Sequence, residues 1–144
     1  MKRFRFPLEN ARLFREQQLD AVERKLELLV RERRSIEDRH KALLVERAEE
    51  ERILFTSAYA EAAELARLDR FRLFVRAEEA RLALSARDCD QRVARQREQV
   101  IEVRRQFELI NHLREKSMAA WRANYNKEQE DLAADLYLAS HRRR

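Results

Sequence analysis

A chain of 144 residues with no glycine has lost the usual means of turning sharply. Tight turns draw on glycine for positive φ and on proline for a fixed φ, and the single proline here is Pro7. Reversals must therefore be few and the elements between them long. Charged residues make up 41% of the chain, a level that predicts disorder when apolar residues are scarce. They are not scarce: hydrophobic residues reach 44% and recur at regular spacing, which argues for long, solvent-washed helices. The expected class is all-α and elongated.

Residues 82–125 carry the clearest pattern. Leu82, Ala86, Cys89, Val93, Gln96, Val100, Val103, Phe107, Ile110, Arg114, Ser117, Trp121 and Tyr125 follow one another in steps of four and three almost throughout. That alternation is the 3.5-residue period of a helix laying a narrow seam against one partner helix. The partner is predicted upstream, in a helix starting at Pro7, a residue tolerated in a first helical turn. Its seam reads Leu19, Val22, Leu26, Leu29, Arg33, Ile36, His40, Leu43 and Arg47, with Arg33, His40 and Arg47 as polar interruptions that fix register. Acid-first pairs at i,i+4 (Asp20–Arg24, Glu27–Arg31, Glu37–Lys41) support its outer face, each by about 0.2–0.5 kcal/mol.

Between these helices the pattern changes. Thr56 and Ser57 are N-cap residue types, alanines crowd positions 58–66, and Asp69 offers a second cap before Phe71. The expectation is an antiparallel two-helix coiled-coil hairpin, a single domain over residues 1–144. Helix one spans about 7–55, a connector with a short helix about 56–69, helix two about 70–139, and a basic tail 140–144. A helix continuous through the connector is also compatible with the sequence. Folding back would bring both chain ends to one end of the hairpin.

The net charge of +5 is spread, with 14 basic and 12 acidic side chains in residues 1–55 and 18 and 15 in the rest. A nucleic-acid footprint would be a one-sided basic stripe, and mixed signs argue against it. Only Lys2, Arg3 and Arg5 at the start and Arg142, Arg143 and Arg144 at the finish form clean basic groups. The lone Cys89 excludes an intramolecular disulfide and fits a reducing compartment. No apolar segment follows the basic start as in a secretory signal, and no run approaches the ~18 residues of a membrane span. A cytoplasmic protein with no direct membrane insertion is expected.

Little points to catalysis. Phosphate-binding loops, dinucleotide turns and nucleophile elbows all require glycine. His40, His112 and His141 are remote from one another and from Cys89, so no metal site is expected, nor any cofactor. Cys89 falls on the seam, where a small buried thiol is the ordinary reading and a reactive thiolate the exception. Glu49, Glu50 and Glu51 splay around a helix and form a solvated face, not an acid/base pair. No enzymatic activity is expected. Phe71, Phe74 and Val75, near the predicted bend, read either as a docking patch or as local packing. Trp121 and Tyr125 read as seam packing, with partner docking as the alternative.

The order of features resembles a known family. Phe4-Arg5-Phe6-Pro7-Leu8-Glu9 leads straight into a long charged helix, and Lys127-Glu128-Gln129-Glu130-Asp131-Leu132-Ala133 precedes a basic tail. This pattern over the whole length is similar to the FliJ family, the small coiled-coil component of the bacterial flagellar type III export apparatus. The tail here departs from it in being very short and almost purely arginine. The resemblance implies a stalk like the γ subunit of rotary ATPases. Such a stalk binds the hexameric export ATPase, contacts the cytoplasmic linker of the export gate and helps cycle export chaperones at the cytoplasmic face of the inner membrane. It would place Arg3, Phe4, Arg5, Phe6, Lys127, Gln129, Arg142, Arg143 and Arg144 on the ATPase side, and Phe71, Phe74 and Val75 on the gate side. The stalk of a virulence-type injectisome and a generic scaffold coiled coil remain open, as does a basic nucleic-acid-binding helix pair.

Overall fold

The computed structural model describes residues 3–142. They form two helices, α1 (Glu9–Thr56) and α2 (Ala62–His141), packed against each other as a helical hairpin, with no strand among the described residues. The chain divides into two compact units: Met1–Ala21 with Ile101–Arg144, and Val22–Val100. Both helices contribute to both.

α1 begins two residues later than Pro7 suggests. Pro7 and Leu8 lie in a turn closed by the Glu9 N–H donating to the Phe6 carbonyl at 3.2 Å. The first helical bond runs from the Arg12 N–H to the Leu8 carbonyl at 2.9 Å. Glu9 then supplies an acidic side chain to the first turn, the favourable sign for the helix dipole.

The reversal occupies residues 57–61 and is a single one. The predicted separate short helix and the cap at Asp69 are absent; α2 is already under way at Ala62. Ala62, Ala63, Leu65 and Ala66 are strong helix formers with no breaker after them, and Leu68 is buried as the first layer of the α2 seam. Thr56 and Ser57 close α1 instead of capping a new helix. The Thr56 hydroxyl donates to the carbonyls of Arg52 (2.8 Å) and Ile53 (3.1 Å), and the Ser57 hydroxyl to that of Tyr59 (3.0 Å). α2 is capped by two glutamates. The Glu61 carbonyl accepts from the N–H of Glu64 (3.0 Å) and Leu65 (3.1 Å), while the Glu64 carboxylate accepts the Glu61 N–H at 3.3 Å. The Glu64 carboxylate supplies the N3-to-Ncap half of a capping box, while the Glu61 carbonyl accepts ordinary first-turn helical bonds. No described residue has positive φ. Five residues achieve what a glycine turn does in fewer.

In the unit Val22–Val100, α2 buries Leu68, Val75, Leu82, Cys89 and Gln96, each seven residues after the last, and the parallel series Val93 and Val100. A strict seven-residue period is the coiled-coil pattern. Leu43 and Val75, both fully buried, form a core with Leu82, against which Ile36 and Phe71 pack. Two further layers fix the register. The Cys89 thiol donates to the Leu29 carbonyl at 3.4 Å, and the Gln96 amide to the Val22 carbonyl at 2.9 Å. Seven residues onward on α2 is seven back on α1, so the helices run antiparallel. The α1 seam residues expected from the sequence all lie buried or half-buried, Val22 to Arg47 here and Leu19 in the other unit. Its polar members reach out of the interface: Arg33 donates to Asp90 at 2.8 Å, and His40 meets Glu79 at 3.3 Å. Arg92 grips Glu32 with two nitrogens at 3.1 and 2.6 Å. On the outer face the Glu27–Arg31 and Glu37–Lys41 pairs close at 2.7 and 3.1 Å.

In the other unit, Val103, Phe107, Ile110 and Arg114 of α2 are half-buried, as are Arg12 and Leu19 of α1. The seam drifts at its end. Ser117 is exposed and Met118 half-buried in its place; Tyr125 is exposed, and so is every residue from 122 to 142.

Candidate functional site

Two surfaces stand out, one in each unit. The first is built around the start of the chain. Phe4 and Phe6 precede α1 and are half-buried, and the Phe4 ring lies 5.9 Å from Trp121 with a 57° tilt. Trp121 in turn stacks on Tyr125 at 5.5 Å and 26°. These are the offset and tilted geometries that aromatic quadrupoles favour. Ion pairs set the level of the helices beside them. Arg114 of α2 donates to Glu9 at 3.1 Å, and Arg12 to the same carboxylate at 2.7 Å. Arg12, foremost, and Arg114 hold the Glu9 carboxyl below the usual carboxylate range, against a smaller opposing effect of burial.

Of the residues assigned to an ATPase side, Arg3 and Arg5 are exposed beside this aromatic cluster, whereas Phe4 is already engaged in packing. Lys127, Gln129 and Arg142 are exposed on the single-helix stretch of α2 beyond Trp121. Arg143 and Arg144 lie outside the described residues. The structure thus brings the first described residues to Trp121, and with them two exposed arginines to a helix end rich in exposed side chains. The Glu9–Arg114 pair had no counterpart in the sequence reading. Its signal was Arg114 interrupting an apolar seam at a level that a folded-back chain places near an acidic first turn.

The second surface surrounds the reversal in the unit Val22–Val100. Here the three gate-side candidates separate. Val75 is fully buried beside Leu43 and cannot meet a partner; it belongs to the core because it sits seven residues before Leu82. Phe71 is half-buried against that core. Phe74 is half exposed, its ring 6.2 Å from Phe71. Residues that sequence reading passed over contribute more open apolar area: Tyr59 is 90% exposed and Phe55 73%. Between the helices lies a groove of about 390 Å³ lined by Ile53, Leu54, Leu68 and Phe71, with Glu50, Glu64 and Arg67 at its rim.

Among the described residues there is no cluster of three or more His, Cys, Asp or Glu side chains able to hold a metal ion. Burial pushes the Cys89 thiol pKa up, the direction of an inert thiol. No helix of the described residues is long and apolar enough to cross a membrane.

The fold and these surfaces define a helical hairpin with exposed side chains gathered at its chain ends and around its reversal. Comparison with protein-family models, curated proteins and solved structures finds no match to the chain.

Proposed function

We propose that this protein is a non-enzymatic coupling component of a type III protein export apparatus, of the FliJ kind, which binds a hexameric export ATPase through the arginines at its start and the open stretch of α2 beyond Trp121. The supporting observation is the seat of Phe4 on Trp121, which sets the exposed Arg3 and Arg5 in the same unit as the open helix bearing Lys127 and Arg142. In this reading the unit's exposed aromatic residues, Phe74 on α2 and Phe55 and Tyr59 at the reversal, contact the export gate. The protein then works in the cytoplasm, peripherally at the inner membrane, and also cycles export chaperones. The flagellar machine is favoured over an injectisome by the Phe4-Arg5-Phe6-Pro7-Leu8-Glu9 opening alone.

Because Phe4 packs, removing the first residues would disturb the fold together with the contact. Charge reversal at exposed positions is cleaner. Arg3→Glu, Arg5→Glu and Lys127→Glu combined are expected to reduce capture by an immobilised export ATPase hexamer with unchanged circular dichroism. Undiminished capture with the helices intact would sink the ATPase assignment.

A further inference from the structure

Past Trp121, α2 has lost its partner helix but keeps a partner-seeking face. Tyr125, Leu132, Leu136 and Ala139 follow at steps of seven, four and three, which places them along one side of the helix. Leu132 and Leu136 are 56% and 71% exposed. Within the segment the supports are local ones: the Tyr137 ring lies 4.6 Å from His141, and Lys127 and Asp131 are opposite charges at i,i+4. Asp131 and Asp135 are like charges at i,i+4, and a lone helix of this length is marginal. The charge is also polarised. Residues 127–135 hold Glu128, Glu130, Asp131 and Asp135 against Lys127, whereas residues 136–142 hold no acid and end in His141 and Arg142. A complementary helix must offer an apolar pair flanked by a basic end and an acidic one, in the reverse order. The segment meets that description itself.

We propose that two copies of this chain associate through residues 125–142 as an antiparallel helix pair, with Leu132 of each copy packed on Leu136 of the other. The contact is isologous, the same patch on both copies about a two-fold axis near residue 134. In this register Glu128 of one copy lies opposite Arg142 of the other, twice by symmetry. Asp135 meets its own counterpart, the one repulsive pair, and keeps the association weak and reversible. The inference stands on this segment alone and does not depend on an ATPase being the partner.

Sedimentation equilibrium of the full chain over a wide concentration range tests it. A monomer–dimer equilibrium is expected, weakened by more than about tenfold in Leu132→Asp/Leu136→Asp. Glu128→Arg alone should weaken the dimer, adding Arg142→Glu should restore it, and Asp135→Asn should tighten it. All five positions are exposed, so thermal unfolding of the monomer serves as the folding control. A chain that stays monomeric at every concentration overturns the proposal, as does a dimer indifferent to the leucine pair or a charge swap that fails to restore it.

Discussion

The buried amide of Gln96 sits among buried residues that are otherwise leucine, valine and one cysteine, and donates to a carbonyl of the facing helix. A polar group at such a position selects register, and its hydrogen bond is worth only about 0.5–1.5 kcal/mol net. Val22 keeps its own place in the α1 ladder, so Gln96→Leu leaves no orphaned acceptor. Urea unfolding of that variant should show stability equal to or above the parent. A loss beyond about 2 kcal/mol would mean that the amide carries more than register. Leu43→Ala is the contrasting case: Leu43 is fully buried against Val75 and Leu82, and its truncation should cost about 2–5 kcal/mol. Charge adds a pH dependence. Arg12 and Arg114 lower the Glu9 pKa, and Arg92 lowers that of Glu32, from a reference of 4.5. Depressed carboxylates contribute stability that is fully present above their unfolded pKa and lost as pH falls through the folded one. Thermal midpoints should therefore hold at neutral pH and decline below about 4.5, less steeply in Glu9→Gln and at high salt. A midpoint that rises on acidification would contradict these assignments.

At the scale of elements, the two seams were readable because the steps of three and four in Leu19–Arg47 and Leu82–Arg114 admit only one period, and both lie where the spacing puts them, with the drift confined to Ser117 and beyond. The connector was not. Threonine and serine at 56–57 look like caps for a following helix, yet the Thr56 hydroxyl serves the end of α1, the Ser57 hydroxyl bonds to Tyr59 within the reversal, and a Glu61–Glu64 pair starts α2. For Val75 the sequence leaves a docking patch and local packing both open; continued back from Leu82 by sevens, the seam runs through Val75 to Leu68, and Val75 is core. At the far end, Tyr125 kept the spacing after α1 had run out, and periodicity cannot tell a covered stripe from a bare one. That difference has a measurable consequence. Backbone amides of residues 122–142, exposed throughout, should exchange hydrogen well before those near Leu43, Val75 and Cys89. Equal protection in the monomer would show that the last turns of α2 are covered by something within the chain.

For the whole molecule, function is assigned to surfaces and the seam to scaffolding. In the proposed reading, exposed arginines and an open helix serve one partner, and the exposed aromatic residues around the reversal another. The buried candidate Val75 contributes through the core that holds Phe71 in place. All of this depends on a chain that folds back in a single register and seats its first residues on Trp121. The direct test is a spin-label distance between positions 5 and 122 in a chain with Cys89→Ala, diluted with unlabelled protein so that only intramolecular pairs report. A single narrow distribution is expected, near the ~8–10 Å spacing of packed helices plus the label arms. A long or broad distribution, as in a parallel pair of separate chains with their ends apart, would contradict the hairpin and the paired ends with it.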